Sequence, residues 1–481
     1  MIRWIFYTSA FCFLSVLAGC KVHHSLDLCR PCVEIPDSYE NEEEPGSAYH
    51  GEWWKEYDVP ELDRVVETAL SNNLDLKQSW WRVAQACWQV KVVGSQKFPE
   101  ITTISSVRHT RTNGDSFGFF DGAGIGGGMF PTGNGSDHFT FYLLSNALTY
   151  EVDLWRRIDS ETRAACYEMR ATREDLESAA WLLTGSVVDL WFTIQEQKTL
   201  LDVIDHQIEV SRTQLELIEL RFSLGQSSAL DVYQQRLQLS ETEQDKTPVE
   251  TALRTSQNLM ATLLGGPPNG EGYIVDDGLV DLPQFPALGR PAELLCFRPD
   301  LRAIHQRLES ADYLVAAAVA DRFPRLTLGI DYDFQSDDIK DLFNNQISQI
   351  IGALAAPVFD GGRRRAEVYR RQAIVCELVN AYGQGFLNAL LEVEDSLVQE
   401  KQQLKLIEQI EKSLEIAKDN LEESNWNYIN GNIDYLSVIA AIQARQALER
   451  RIVVERKNLL TIRAKLYRAL GGPFITRWCM S

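Results

Sequence analysis

Positive charge is scarce in this 481-residue chain, which has 47 Lys and Arg residues against 68 Asp and Glu residues. The formal net charge is −21 at pH 7. A protein that binds nucleic acid needs a basic face that neutralises phosphates, so this balance argues against nucleic acid as a partner. It also argues against a basic helix that lies on a membrane surface.

Long apolar stretches are equally scarce, and the only one lies within the first twenty residues. Arg3 is followed by an almost wholly apolar run from Trp4 to Val16, which is too short to span a bilayer comfortably. This layout is typical of a secretory signal. The rest of the chain offers no further candidate for a membrane-spanning helix.

Catalytic and nucleotide-binding motifs are missing. The seven histidines are dispersed apart from His23 and His24, and no H-E-x-x-H, G-x-S-x-G or P-loop pattern occurs. Residues 122–127, GAGIGG, match G-x-G-x-x-G formally, but M-F-P-T-G follows shortly afterwards where a helix start is required. We expect a surface loop at residues 122–127. Because the catalytic motifs are missing, we also predict that the protein is not an enzyme and needs no metal or cofactor.

Proline is absent from residues 132–247 and 358–472. Proline breaks helix interiors, so both windows are open to long helices. Apolar residues recur four and three apart from Leu190 to Phe222, which predicts a left-handed coiled coil, and the second window carries a similar seam with one phase slip. Gly225 and Gly431 interrupt the seams. We therefore predict a long helical hairpin in each copy, at about residues 156–265 and 362–470, with its tip near the glycine.

The chain repeats itself. The DL pair at residues 75–76 and the FP pair at residues 98–99 recur with the same spacing at residues 300–301 and 323–324. The tip glycines and an LGGP stretch then recur in the same order. Several anchors in one order indicate an internal duplication.

Segments with strand character lie between the first helix and the hairpin of each copy. Residues 326–335 alternate apolar and polar side chains, which suits a transmembrane β-strand and equally a half-buried soluble strand. Residues 350–358 are its predicted partner, and residues 101–110 and 139–150 hold the corresponding places in the first copy. Four strands cannot close a barrel, and open edges cannot face lipid, so membrane strands require a ring of protomers.

The LAGC stretch at residues 17–20 resembles a bacterial lipobox, in which the cysteine is acylated and becomes the mature N-terminus. Lys21 follows, and not the aspartate that commonly signals retention at the inner membrane. The resemblance implies a covalent N-terminal lipid on Cys20 and an outer-membrane location. The alternative is an ordinary signal with a chance cysteine.

Nearly the whole mature chain resembles the outer-membrane efflux family, TolC-like, in its lipoprotein branch. The resemblance rests on EWWKEY at residues 52–57, ALSNNLDL at residues 69–76, the FPEIT and FPRLT strand entries, the glycine tips and the LGG endings. It implies a mixed α and β membrane protein that forms a homotrimer. Each protomer would give four strands to a twelve-stranded transmembrane β-barrel and its helices to a periplasmic coiled-coil α-barrel.

The same resemblance implies a passive, gated exit duct of a tripartite efflux system. The duct would sit in outer-membrane lipid and dock to a periplasmic adaptor protein and an inner-membrane transporter of the RND, ABC or MFS type. By resemblance, Leu224, Gly225, Gln226, Asn430 and Gly431 contact the adaptor. The two glycines are also explained by the turns that they permit.

Asp434, Tyr435 and Leu436 match the family's tip-proximal gate positions. Asp434 would place one carboxylate per protomer near the constriction and favour cations, although a solvated tip residue is an equal alternative. Relatives often carry an aspartate where this chain has Ala440, so the strength and location of a charged constriction stay open.

The expected organisation follows from these features. We predict a signal peptide at residues 1–19, an anchor and linker at residues 20–60, two structural repeats at residues 61–290 and 291–473, and a tail at residues 474–481. The alternative function is a non-pore periplasmic coiled-coil lipoprotein scaffold, which would explain the anchor and the heptads but not the repeated amphipathic strands.

Overall fold

The computed structural model describes residues 35–40, 52–112, 137–268 and 278–472. The predictions at Cys20 and residues 122–127 lie outside them. The helices and strands of the described part are, in order, α1 Pro60–Asn72, α2 Leu74–Ser95, β1 Glu100–Thr112, β2 Asp137–Val152, α3 Arg157–Ser223, α4 Ala229–Leu263, α5 Leu294–Phe297, α6 Pro299–Ala320, β3 Arg325–Ser336, β4 Gln346–Ala355, α7 Arg363–Ile429 and α8 Tyr435–Leu470. None of the helices in this part combines the length and apolar character that a membrane span requires.

The sheet belongs to the first of two compact units, which includes Ala86–Glu168 and Leu308–Glu377. Its four strands are antiparallel in the order β1-β2-β3-β4, so β1 and β4 are the edges. The register places Ile101, Leu148 and Ile330 side by side on one face. Because strand side chains alternate between faces, the period-two pattern read from the sequence gives the sheet one mainly apolar face.

Strand β4 differs from the prediction of residues 350–358. It begins at Gln346 and ends at Ala355, two residues before Pro357. Proline has no backbone N–H to donate to a neighbouring strand, so the ladder stops short of it. Residues 346–349, which are polar except for Ile347, join the strand because their backbone pairs with β3, regardless of side-chain polarity.

Equivalent aspartates begin the long helices α3 and α7. Asp153 accepts from the backbone N–H groups of Ile158 and Asp159 at 3.2 and 2.7 Å. Asp360 accepts from the N–H groups of Gly362 and Arg364 at 3.0 and 3.2 Å. A carboxylate at a helix N-terminus satisfies otherwise unpaired donors and complements the helix dipole. Both copies thus begin the long helix with an aspartate, although the two carboxylates bond N–H groups at different spacings.

The second unit includes Arg30–Gln85, Met169–Arg307 and Leu378–Ser481 and holds three apolar clusters. The largest cluster contains Trp53 and Trp54, at most 1 % exposed, and the Trp53 ring stacks on Tyr467 with 6.1 Å between centroids. The EWWKEY stretch is therefore a core element of this unit. Burial of such large aromatic side chains is a major stabilising contribution.

A buried ion pair accompanies this core. Arg463 and Glu400 are 4 % and 6 % exposed and form a bidentate pair with nitrogen–oxygen distances of 2.5 and 2.8 Å. Arg463 also donates to the backbone oxygen of Pro283 and lies over the ring of Phe285. The pair thereby fixes the segment that contains Pro283 and Phe285 onto α8.

The long helices bury their heptad seams. In α3, Ile194, Ile204 and Ile218 are at most 4 % exposed, whereas Phe222 at the end of the predicted seam is 48 % exposed. Pro248 lies inside α4, within the predicted extent of the first hairpin. The helix continues through it, and the position lacks one backbone hydrogen bond because proline has no N–H to donate.

Candidate functional site

The first hairpin turns immediately after α3. The N–H of Gln226 donates to the oxygen of Arg221 at 2.8 Å, and the N–H of Gly225 donates to the oxygen of Phe222 at 2.9 Å. Gly225 has a φ of +73°. This pair of bonds with a left-handed glycine is the Schellman motif, which satisfies the last carbonyls of a helix.

The second hairpin turns through the same motif after α7. The N–H of Asn432 donates to the oxygen of Asn427 at 2.9 Å, and the N–H of Gly431 donates to the oxygen of Tyr428 at 3.0 Å. The φ of Gly431 is also +73°. The two predicted tip glycines therefore occupy equivalent turns, and both need the left-handed conformation that favours glycine.

The helices that return from the tips begin with the same two residue types in exchanged order. In the first hairpin, Ser228 caps α4 and exchanges hydrogen bonds with Asp231 three residues later. In the second, Asp434 caps α8 and accepts from the N–H and hydroxyl of Ser437 at 3.2 and 2.9 Å. Both arrangements satisfy the free N–H groups of the first turn.

The predicted adaptor-contact residues lie on the exposed surface of the tips. Leu224 is 63 % exposed, and Gln226 is also exposed. The side chain of Asn430 donates back to the oxygen of Trp426 at 2.8 Å. A Cβ added at Gly225 or Gly431 would meet no atom within 4 Å. These residues leave the tip surface open, and their contact with an adaptor stays a prediction.

The three predicted gate residues do not share one surface. Asp434 is exposed and caps its helix, and Leu436 is 56 % exposed. Tyr435 is only 4 % exposed and donates its hydroxyl to Oε1 of the fully buried Gln235 at 2.8 Å. Any gating role of Tyr435 therefore acts through the packing of the hairpins, while Asp434 and Leu436 are free to face solvent.

Behind the tips, the two hairpins share one apolar cluster. The first hairpin supplies Ile218 and Val232, and the second supplies Leu421, Tyr435 and a run on α8. That run is Val438, Ile439, Ala441 and Ile442. Because the cluster draws on both hairpins, movement of one tip away from the other would expose apolar surface to water.

Polar residues of both hairpins form hydrogen bonds next to this cluster, on the side that faces the tips. Tyr428 at the end of α7 donates its hydroxyl to Oδ2 of Asp231 at 2.9 Å, and Ser227 donates to the same oxygen at 2.9 Å. Partial burial would raise the pKa of Asp231, but the hydrogen bonds from Ser228, Tyr428 and Ser227 outweigh it and hold that pKa below its ordinary value. We call Tyr428, Asp231 and Ser227 the tip tie.

Farther from the tips, buried glutamines join the hairpins. Gln238 of α4 donates to the side-chain oxygen of Gln446 of α8 at 2.9 Å and accepts from Gln443 at 2.8 Å. Gln207 of α3 donates to the backbone oxygen of Gln446 at 3.3 Å. A buried polar network of this kind fixes one register between helices, because any slip leaves amides unpaired.

Sequence reasoning missed the tip tie and Gln235. The S-A-L-D stretch that contains Asp231 matches the capping-box signature and could have indicated a helix start. Nothing in the spacing of Tyr428 indicates that its hydroxyl reaches the other hairpin. Among the described residues, no group of three or more His, Cys, Asp or Glu side chains could hold a metal ion.

The chain matches the family model for outer membrane efflux proteins over residues 65–266 and 291–472. It is 27 % identical over 425 residues to the pyoverdine export outer membrane protein OpmQ of Pseudomonas putida, with 87 % of each chain covered. It is 28 % identical over 498 residues to the outer membrane protein OprJ of Pseudomonas aeruginosa, with 97 % of this chain and 96 % of that one covered.

Solved channel structures share the fold. The outer-membrane channel OprN superposes with a TM-score of 0.82 at 22 % identity, over 94 % of this chain and 99 % of the other. CusC gives 0.79 at 21 % identity, over 93 % and 99 %. The predicted fold class, a protomer that gives four strands to a trimeric barrel continued by a helical tunnel, is confirmed. The chain therefore belongs to the outer membrane efflux protein family and is an outer-membrane channel of a tripartite efflux system.

Proposed function

We propose that this channel is gated where the hairpin tips converge, and that the tip tie helps to hold the closed state. The supporting observation is the Tyr428–Asp231 hydrogen bond, which links the end of α7 to the start of α4. Opening would separate the second hairpin from the first and break this bond. The bond is charge-assisted, and such bonds contribute about 1.5–3 kcal/mol.

The adaptor would act on the same tips. A periplasmic adaptor that packs against Leu224, Gly225, Gln226, Asn430 and Gly431 would touch the turns directly next to the tip tie. Apolar side chains at the tips support this, since Leu224 and Ile429 are 63 % and 62 % exposed. Docking energy gained on that surface would compensate for breaking the tie and so couple assembly to opening.

The transporter that supplies energy would be an inner-membrane protein of the RND, ABC or MFS type. Cys20 would carry the covalent lipid that anchors the mature N-terminus in the outer membrane, and the chain would perform no catalysis and hold no cofactor. The chain would divide into two structural repeats at residues 61–290 and 291–473.

Single-channel conductance of the purified protein in a planar bilayer tests the gate. Tyr428→Phe removes the hydroxyl and keeps the ring, so we expect a higher conductance or open probability than in the unmodified protein. Tyr233→Phe is the matched control, because Tyr233 lies near the same tip and is 66 % exposed. Equal conductance in all three proteins would refute the gating role of the tie.

A further inference from the structure

One end of the sheet carries a concentration of arginine in an otherwise acidic chain. β3 begins there, β4 ends there, and α7 begins eight residues after the last residue of β4. We call the following side chains the arginine cluster: Arg322, Arg325, Arg363, Arg364, Arg365, Arg370 and Arg371. Three carboxylates lie in the same two segments, Asp321, Asp360 and Glu367, so the segments carry an excess of positive charge while the whole chain carries −21.

Two of the carboxylates, Asp321 and Asp360, form ion pairs or helix-capping hydrogen bonds with residues near the beginning of β3 and α7. Asp321 binds both Arg325 and Arg364, the latter at 3.1 Å. Asp360 caps α7 and also binds Arg364 at 3.2 Å. Their negative charge is therefore committed within the fold and is not available to the other arginines.

The third carboxylate is shared in the same way. Glu367 accepts from Arg370 and Arg371 at 2.6 and 2.8 Å, and these two hydrogen bonds lower the pKa of Glu367 to about 2. Because one carboxylate serves two guanidinium groups, positive charge remains in excess around it.

Three exposed members of the cluster form no ion pair with a carboxylate of the described residues. They are Arg322, Arg363 and Arg365. Arg365 instead lies over the ring of Tyr369, with 5.6 Å between its guanidinium carbon and the ring centroid, and contacts the phenol oxygen at 3.3 Å. Guanidinium groups that are exposed and unpaired retain donors for the oxygens of a phosphate.

The other half of the same sheet end is neutralised. Arg157 is bound by Glu151 and Glu161 at 2.9 and 3.0 Å, and Asp159 binds Lys97 at 2.8 Å. The excess of positive charge is therefore confined to the β3–β4 side. A general need to solubilise the sheet end would not produce that difference.

The position of the arginine cluster relative to the membrane indicates which kind of partner it would bind. The strands lie in the outer membrane and the helices extend into the periplasm, so the end from which α7 departs lies at the periplasm-facing leaflet. Val358 and Phe359, between β4 and α7, are 95 % and 92 % exposed in the protomer. An apolar pair beside basic residues at the end of a membrane strand is typical of the bilayer interface.

We propose that the arginine cluster binds the phosphate groups of anionic phospholipids in the periplasm-facing leaflet of the outer membrane. The guanidinium groups of Arg322, Arg363 and Arg365 would donate to the phosphate oxygens, and Val358 and Phe359 would lie against the first acyl carbons. Each basic residue near an anionic lipid surface adds to the attraction, and salt screens it. The proposal uses the family's membrane location and is independent of the gate.

Native mass spectrometry of the full trimer in detergent, after addition of phosphatidylglycerol or phosphatidylcholine, tests this proposal. The variant is the triple Arg322→Gln, Arg363→Gln, Arg365→Gln. We expect it to retain less phosphatidylglycerol than the unmodified trimer by a factor of about ten, with no change for phosphatidylcholine. High salt should remove the difference between the two proteins.

Two control triples sharpen the result. Replacement of Arg322, Arg363 and Arg365 by Lys keeps the charge and should keep most of the phosphatidylglycerol. Replacement by Gln of three exposed arginines on the hairpins should have no effect; these are Arg212, Arg236 and Arg456. Equal phosphatidylglycerol retention in the cluster variant and the hairpin control would overturn the proposal. Loss of the trimer without selective loss of phosphatidylglycerol would also overturn it and assign the cluster to the protomer–protomer contact.

Discussion

The hydroxyl of Tyr428 lies 2.9 Å from Oδ2 of Asp231, and this hydrogen bond joins the last turn of α7 to the first turn of α4. Asp231 is also one half of the capping box that starts α4. One carboxylate thus fixes the helix start of the first hairpin and holds the second hairpin. Disturbance of either element reaches the other through a single side chain.

Acid should weaken the tip tie. The pKa of Asp231 in the folded protein is below its ordinary value of 3.8, so its stabilising contribution is complete above that value and is lost as the pH falls through the lower, folded pKa. We therefore expect that protonation of Asp231 does not change the conductance between pH 7 and pH 5. In stronger acid the conductance should rise. Asp231→Asn should remove the acid-dependent rise, and an unchanged acid response in that variant would contradict the prediction.

Tyr435 should matter for stability. Tyr435→Phe leaves the buried Oε1 of Gln235 without its donor, which costs about 1–3 kcal/mol. Tyr435→Ala also opens a cavity among Val438, Ile439 and their neighbours, and we expect a loss of about 3–5 kcal/mol. Urea unfolding followed by circular dichroism measures both, with the exposed Tyr233→Phe as the control that stays within about 0.5 kcal/mol.

Asp434 should influence ion selectivity, because its carboxylate is exposed at the tip of each protomer. Asp434→Asn keeps a side chain that caps α8 and removes the charge, so we expect a reduced preference for cations at an unchanged fold. The reversal potential in a salt gradient measures the preference. Asp419→Asn, at another exposed carboxylate on α7, should leave the reversal potential unchanged; equal shifts in both variants would remove Asp434 from the constriction.

Removal of one partner of the buried Arg463–Glu400 pair should be costly. Glu400→Gln leaves the Arg463 charge, only 4 % exposed, without its counter-charge, and we expect a loss of about 3–5 kcal/mol in urea unfolding. Replacement of both residues by apolar side chains of similar volume should cost much less. If the single and the double variant lose the same stability, the pair is not coupled as the geometry indicates.

At the tip glycines, the stability effect of a substitution should depend on the backbone conformation that the new residue must adopt and not on the size of its side chain. Gly225→Ala and Gly431→Ala place a Cβ in open space but at a φ of +73°, so each should destabilise its turn by about 1–2 kcal/mol. Asn tolerates this conformation, and Gly225→Asn should cost less than Gly225→Ala. Gly94→Ala, in helix α2, should instead stabilise by up to about 1 kcal/mol, which thermal unfolding would distinguish by sign.

Local patterns predicted much of the fold. The heptads, the missing prolines and the tip glycines lead to long hairpins because helix periodicity, helix breaking and left-handed turns are decided over a few residues. The repeat predicted that both copies share one plan, and Asp153 and Asp360 begin equivalent helices. The strand β4 was misplaced because pairing to β3, and not its own side chains, sets its limits.

The candidate site was less predictable from the sequence. Asp434, Tyr435 and Leu436 are adjacent in the chain, but the helix that they begin turns Tyr435 into the shared cluster and leaves its neighbours exposed. Adjacent helical residues point about 100° apart, so contiguous sequence does not form one surface.

The sequence by itself determined the duplicated α and β plan and the turns, because periodicity and turn chemistry are properties of short segments. The channel family followed from the resemblance of its motifs to those of known members. Only the tertiary structure decided that the hydroxyl of Tyr428 donates to Asp231 and that the hydroxyl of Tyr435 donates to Gln235. It also decided that the arginines of two distant segments meet at one end of the sheet. These contacts join residues far apart in the chain, and their partners depend on how helices and strands pack in three dimensions.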